Sequence, residues 1–172
     1  MSIKSSEIHP SKSYEIDPDC GGLPICPPPT KQQVIGSVVA AGAVFGATDM
    51  LFYSTIGKSF MNSVAKEMPD AVFMTLGYVV AAVMFCLIYA KYARISKRPF
   101  DPDKESENSY RLKKGLRYGL AIGALVFIPS TLFNYAVLQD LNLWNQSMDV
   151  IFHLLQYTVV GIMTAFIQKA KK

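Results

Sequence analysis

Residues 71–92 read AVFMTLGYVVAAVMFCLIYAKY, an apolar run with no charge before Lys91. A helix that crosses roughly 30 Å of hydrocarbon needs about twenty mostly apolar residues, and this run supplies them. Three further blocks have the same character, at 34–56, 116–138 and 148–168. A soluble bundle would place charges along one face of each block, and these blocks have almost none. The ionisable residues well inside them are Asp49 in the first and Asp149 and His153 in the fourth. The expected fold is therefore all-α, a four-helix transmembrane bundle.

The rest of the chain fits around these spans. Of 172 residues, 51% are apolar, and the 17 Lys and Arg are gathered into a few segments. That leaves room for one membrane domain, 34–172, and a tail, 1–33. The net charge of +4 is modest. Its basic residues flank apolar blocks and form no stripe interleaved with aromatics, so lipid is the expected partner and nucleic acid is not.

Placement of charge gives direction. Between the second and third spans lie Lys91, Arg94, Lys97, Arg98, Lys104, Arg111, Lys113, Lys114 and Arg117. Lys31 precedes the first span, and Lys169, Lys171 and Lys172 follow the last. The segment 139–147 has no basic residue, and Lys58 and Lys66 are offset by Glu67 and Asp70. Positive residues stay on the cytoplasmic side, so both termini and the central loop are expected there. A bacterial inner membrane, or its equivalent, is the expected location.

The tail is polar, poor in aliphatic residues and closed by Pro27-Pro28-Pro29. It has too little apolar surface to offset its ordering entropy and should be extended. It lacks the apolar core of a secretory leader, so none is expected. Cys20 and Cys26 stand in a Gly/Pro segment without a second pair. With His9 they fall short of the roughly four ligands of a structural zinc. Reduced thiols are expected on a cytoplasmic face, and Cys86, within a span, reads as a small hydrophobe.

Two patterns mark the spans. Gly115, Gly119 and Gly123 recur every fourth residue in the third, and Gly42 and Gly46 do so in the first, with Ala43 and Ala47 beside them. Such stripes let helices approach closely in lipid, either within the bundle or against another subunit. Gly42, Gly46, Ala47 and Ser54 also align with Gly119, Gly123, Ala124 and Thr131, which permits a parallel two-plus-two repeat. Pro129 is expected to kink the third span, with Ser130 and Thr131 accommodating it.

The second pattern is polar. Asp49 falls about 22 Å along a helix that begins on the cytoplasmic side, hence in the outer half of the membrane. Asp149, His153 and Gln156 share one face of the fourth span at i, i+4 and i+7. Asn134, near the outer end of the third, can join the same layer. The expected cluster is Asp49, Asn134, Asp149, His153 and Gln156, with Tyr53 and Tyr135 nearby. It reads as interhelical hydrogen-bonding glue, as a small-ligand or ion site with Asp49 and His153 as a proton-sensitive pair, or as a cofactor site. In the last case His153 would ligate a pigment or haem, although a bis-His haem needs a second histidine in a span. No protein metal site is expected. Nucleophile–base pairs and metal-ligand spacings are missing from the sequence, so an enzyme is not expected.

The order of these features resembles the small, uncharacterised four-span membrane proteins of bacteria. The resemblance rests on Asp49-Met-Leu-Phe-Tyr53, Pro69-Asp70, Phe133-Asn134-Tyr135-Ala136, Trp144 and Asp149. It spans about 42–165 and omits the tail. It implies the four-span topology, and that Asp49, Asn134 and Asp149 act together. The leading functional expectation is a non-catalytic accessory subunit of a larger membrane complex, joined through its Gly-rich helices and Pro-rich tail to other integral subunits. The alternative is a small transporter or ligand-binding protein that uses the polar cluster.

Overall fold

A computed structural model describes residues 29–57, 71–95, 105–137 and 142–168. The expectations for the extended tail, Cys20, Cys26, Pro69 and Asp70 lie outside them. The described residues form four helices: α1 (Lys31–Ser54), α2 (Ala71–Ile95), α3 (Glu107–Val137) and α4 (Leu143–Ile167). All four are long and apolar enough to cross a membrane, and the described residues include no strand. The fold is an all-α four-helix bundle, and its composition is that of an integral membrane protein.

Helix starts are set by local chemistry that hydropathy does not register. Thr30 and Gln33 form a capping box. The Gln33 amide donates to Thr30 Oγ1 at 3.2 Å, and the Thr30 amide to Gln33 Oε1 at 2.8 Å. Two orphan donors are satisfied at once, so α1 begins at Lys31, inside the segment assigned above to the tail. Asn142 accepts from the Trp144 amide at 2.9 Å and starts α4 at Leu143, ahead of the expected 148.

The largest extension is in α3. Its 31 residues span about 46 Å, more than a hydrocarbon core requires. The surplus comprises the turns before Gly115. There Glu107 pairs with Arg111, and Glu105 with Lys113 at 3.0 Å. Lys114 Nζ reaches across to the carbonyl of Ala93 at 2.9 Å, one of the terminal acceptors that α2 leaves without a helical partner. Further along, α3 runs helical through Pro129.

Packing order differs from chain order. α1 lies against both α2 and α4, and α3 packs along the length of α4. Tyr118 of α3 reaches α2, donating to the Phe85 carbonyl at 2.6 Å. Around it Phe85, Tyr89 and Tyr92 stand at ring separations of 4.8, 5.0 and 5.1 Å. This aromatic knot adjoins a core of Ala41, Phe45, Ala82, Cys86, Val160 and Ala165. The outward faces are also apolar, with Val39, Leu51, Phe73, Leu125 and Leu155 all exposed. Helices that are apolar all round require an apolar surrounding, and a lipid bilayer provides it.

The glycine stripes do two different things. A Cβ at Gly115 would lie 2.6 Å from the Gly161 carbonyl oxygen, and one at Gly119 would run into the Tyr157 carbonyl. Gly161 returns the contact, since a Cβ added there would lie 2.8 Å from Gly119 Cα and run into the Gly115 carbonyl. A Cβ at Gly123 would first meet side-chain atoms, Tyr157 Cβ at 3.1 Å and Leu154 Cδ2 at 3.3 Å. So α3 and α4 touch backbone to backbone. On α1 a Cβ at Gly42 or Gly46 would find only the Ala82 methyl at 3.8 Å or the Tyr78 ring at 3.7 Å, ordinary van der Waals spacing. The two stripes that align in sequence are thus unequal in packing.

Candidate functional site

Near the end of the bundle where α1 finishes and α4 begins, the two helices bring their polar faces together. On α1 the inward ladder runs Ser37, Ala41, Phe45, Asp49, Phe52 and Tyr53, at helical spacing. On α4 it runs Asp149, His153, Gln156, Val160 and Thr164. Both ladders are apolar at mid-bundle and polar towards this end.

Gln156 joins the helices. Its Nε2 donates to Asp49 Oδ1 at 2.6 Å and Thr48 Oγ1 at 2.7 Å, with the Phe45 carbonyl at 3.3 Å. Thr48 passes its own hydroxyl hydrogen to the Val44 carbonyl at 2.6 Å, which leaves its oxygen free to accept. His153 is 7% exposed. Its Nε2 stands 4.0 Å from Asp49 Oδ1, and its Nδ1 stands 3.6 Å from Asp149 Oδ1. Nδ1 is also 2.8 Å from the Asp149 backbone carbonyl one turn earlier. Tyr53 donates to Asp149 Oδ1 at 2.7 Å. A buried imidazole therefore sits between two carboxylates, one from each helix.

Aromatic rings wall the site. Phe127 of α3 stacks on the imidazole with centroids 4.0 Å apart and planes inclined by 20°. Phe152 meets its edge at 5.2 Å, and Phe52 and Phe152 stack on each other at 4.0 Å. Phe127 follows Gly123 by one turn on the same face. The close approach that the glycines allow is what delivers this ring to His153.

Four of the five residues expected in the cluster converge: Asp49, Asp149, His153 and Gln156. Asn134 does not join them. It is about 10 Å further along α3 than Phe127, the residue level with His153, and its side chain makes no hydrogen bond among the described residues. Tyr135 is 51% exposed and stays outside as well. Three participants carried no sequence signal. Thr48 and Phe127 look like any small or apolar span residue, and Tyr78, whose hydroxyl faces Asp49, lies in the most apolar block of all.

A second polar group occupies the opposite end of the bundle. Gln168 Nε2 donates to Ser37 Oγ at 2.7 Å and to the Cys86 carbonyl at 3.2 Å. Cys86 Sγ lies 4.0 Å from Thr164 Oγ1. These side chains tie α1, α2 and α4 together where the charged segments begin, and sequence reading passed over them.

Haem or pigment ligation does not fit His153. The nitrogen that would bind the metal points at a carboxylate 4.0 Å away, and Phe127 covers the ring face. Among the described residues, no three His, Cys, Asp or Glu side chains gather as a metal-binding set. No protein family, curated protein or solved structure matches the chain. The class defined by fold and site is a four-helix membrane bundle with an ionisable cluster between α1 and α4.

Proposed function

We propose that the protein binds, and through binding moves, a small solute at the Asp49–His153–Asp149 cluster. The carrying observation is the buried imidazole between carboxylates of two different helices. Ionisable side chains are costly in a membrane and concentrate where ions or solutes are handled. Hydrogen-bonding glue alone would be served by neutral residues, as it is at Ser37 and Gln168. In this reading both termini are cytoplasmic, the membrane is a bacterial inner membrane, and the cluster lies in its outer half. No group in the cluster is poised as a nucleophile, so the role is non-catalytic.

A thermal-stability screen of the purified chain against monovalent cations, amines and amino acids tests this. At least one solute should stabilise the parent protein and fail to stabilise Asp49→Asn. If none does, the proposal falls. A second reading, the accessory subunit, draws support from α2. Its first turns, with Val72, Phe73 and Leu76, are exposed, and Gly77 has open space where a side chain would go. Purification from its native membrane in mild detergent discriminates. Stoichiometric co-migration with larger membrane chains would favour the subunit, and a lone monomer or dimer would exclude it.

A further inference from the structure

Gln168 closes the opposite end of the α1–α4 seam, and its amide is only half used. Nε2 donates to Ser37 Oγ at 2.7 Å and to the Cys86 carbonyl at 3.2 Å. A backbone carbonyl only accepts, so the nitrogen is fixed on that side and the oxygen on the other. Gln168 is 7% exposed, and its Oε1 is the one buried side-chain atom without a hydrogen-bond partner among the described residues. Ser37 does not supply the missing hydrogen, because its hydroxyl is given to the Val34 carbonyl at 2.8 Å. The shut seam therefore gains two hydrogen bonds and strands one acceptor away from water. These contributions have opposite sign and similar size, so the contact is held close to balance.

What this contact holds is the start of α1. Before Ala41, Ser37 is the only buried residue of that helix, and Lys31, Ile35 and Gly36 are exposed. The second half of α2 is tied independently, by Tyr118 on the Phe85 carbonyl and by Lys114 on that of Ala93. α4 is fixed to α3 by main-chain contact at Gly115 and Gly119. A side-chain latch thus joins the lightly buried turns of α1 to helices that are fastened elsewhere. Behind the latch lie Cys86 and Thr164, both fully buried, with Sγ and Oγ1 4.0 Å apart. Next come Ala41 and Val160, also fully buried, and beyond them Phe45, Gln156 and the Asp49–His153 cluster. Polar side chains flank a short apolar plug along one seam.

We propose that the Gln168–Ser37–Cys86 contact is a gate latch at the far end of the path to the cluster. The first turns of α1 swing away from α4 and α2, and both Nε2 bonds break. Water then reaches Gln168 Oε1 and the Cys86 thiol. Hydration of the stranded oxygen offsets the lost bonds, so opening requires no change of charge. The latch rests on the reading of the cluster as a solute site and adds the gate that such a site needs at its other end.

Cys86 reports on the gate, because a thiol reacts as its thiolate and one sealed in apolar surroundings is inert. With Cys20 and Cys26 replaced by serine, it is the only thiol in the chain. The full chain in lipid nanodiscs is exposed to a neutral, polar methanethiosulfonate, and labelling is followed by mass spectrometry. Ser37→Ala removes one bond and keeps the stranded oxygen. Labelling should rise roughly fivefold, the shift that one lost hydrogen bond gives. Gln168→Leu removes the stranded oxygen together with the bonds, and Ser37 still donates to Val34. Its labelling should not exceed the parent's. A contact that merely packs would respond to both changes alike, so faster labelling in Gln168→Leu overturns the proposal. A Ser37→Ala rate equal to the parent's overturns it too. Lys169, Lys171 and Lys172 lie outside the described residues, and a chain with all three changed to glutamine should label at the parent's rate. Faster labelling there would make them the donors to Gln168 and overturn the proposal. Should Ser37→Ala fail to fold, Gln168→Leu decides alone. The measurement uses no added solute. A solute screen that finds nothing leaves the opposed responses standing, and equal responses leave a solute found by the screen standing.

Discussion

Gln156 shows how one amide can hold a carboxylate inside a membrane. It gives hydrogens to Asp49 and Thr48 and lies near the Phe45 carbonyl, so the two N–H donors of a single α4 side chain serve a cluster of α1 acceptors. Replacing it with leucine, Gln156→Leu, keeps the volume and removes every donor. Interhelical hydrogen bonds in membrane proteins contribute about 0.6 kcal/mol on average and up to about 1.7. The expected loss lies near the upper figure, because a carboxylate is left with fewer partners. Unfolding in mixed micelles with rising dodecyl sulfate measures it, and an unchanged midpoint would remove Gln156 from this role. At this scale the sequence was informative where helical spacing applies within one span. Asp149, His153 and Gln156 share a face by arithmetic alone. Asn134 failed because its position relative to α4 depends on how far one helix slides along another, which no single span encodes.

Between elements, the decisive contacts are those at Gly115, Gly119 and Gly161. Gly119→Ala would push a methyl into the Tyr157 carbonyl, and overpacking of this kind costs about 1–3 kcal/mol. Gly46→Ala would place its methyl at ordinary distance from Tyr78, and the better helix propensity should make it neutral or stabilising by up to about 1 kcal/mol. The same micelle titration on both variants checks the contrast, and equal effects would refute the unequal packing. The glycines of α3 were legible as a stripe, but their partner was not. Gly161 stands alone in its span and gives no periodic signal. The opening of α3 was hidden for another reason: its charged residues mark a surface, whatever its secondary structure. Lys114 then does more than mark that surface. Lys114→Met should free the Ala93 carbonyl and raise amide exchange over the last turn of α2, measurable by mass spectrometry. Unchanged exchange there would show that the Ala93 contact does not hold the helix end.

For the whole molecule, the spans were readable because a bilayer imposes a minimum apolar length that sequence displays directly. The orientation proposed from the basic residues can be checked chemically. With Cys20 and Cys26 replaced by serine, a cysteine at exposed Leu143 should react with an impermeant maleimide from the outside of intact cells. One at exposed Lys113 should react only after the membrane is opened. The reverse pattern would invert the bundle. The packing order of the helices was not readable in this way, since apolar faces on every side leave pairing to close-contact details such as Gly161.

The unequal glycine seams also have a mechanical consequence. α3 and α4 are locked by main-chain contact and can slide or tilt past each other only by first separating. At their glycines α1 and α2 meet through side-chain atoms at ordinary van der Waals distance, the Ala82 methyl and the Tyr78 ring. The protein is thus a stiff plank of two helices with a second pair leaning on it. Asp49 belongs to the leaning pair, and His153 and Asp149 belong to the plank. Any rocking between the halves must change the 4.0 Å gap between imidazole and carboxylate, so the site is also the gauge of the motion.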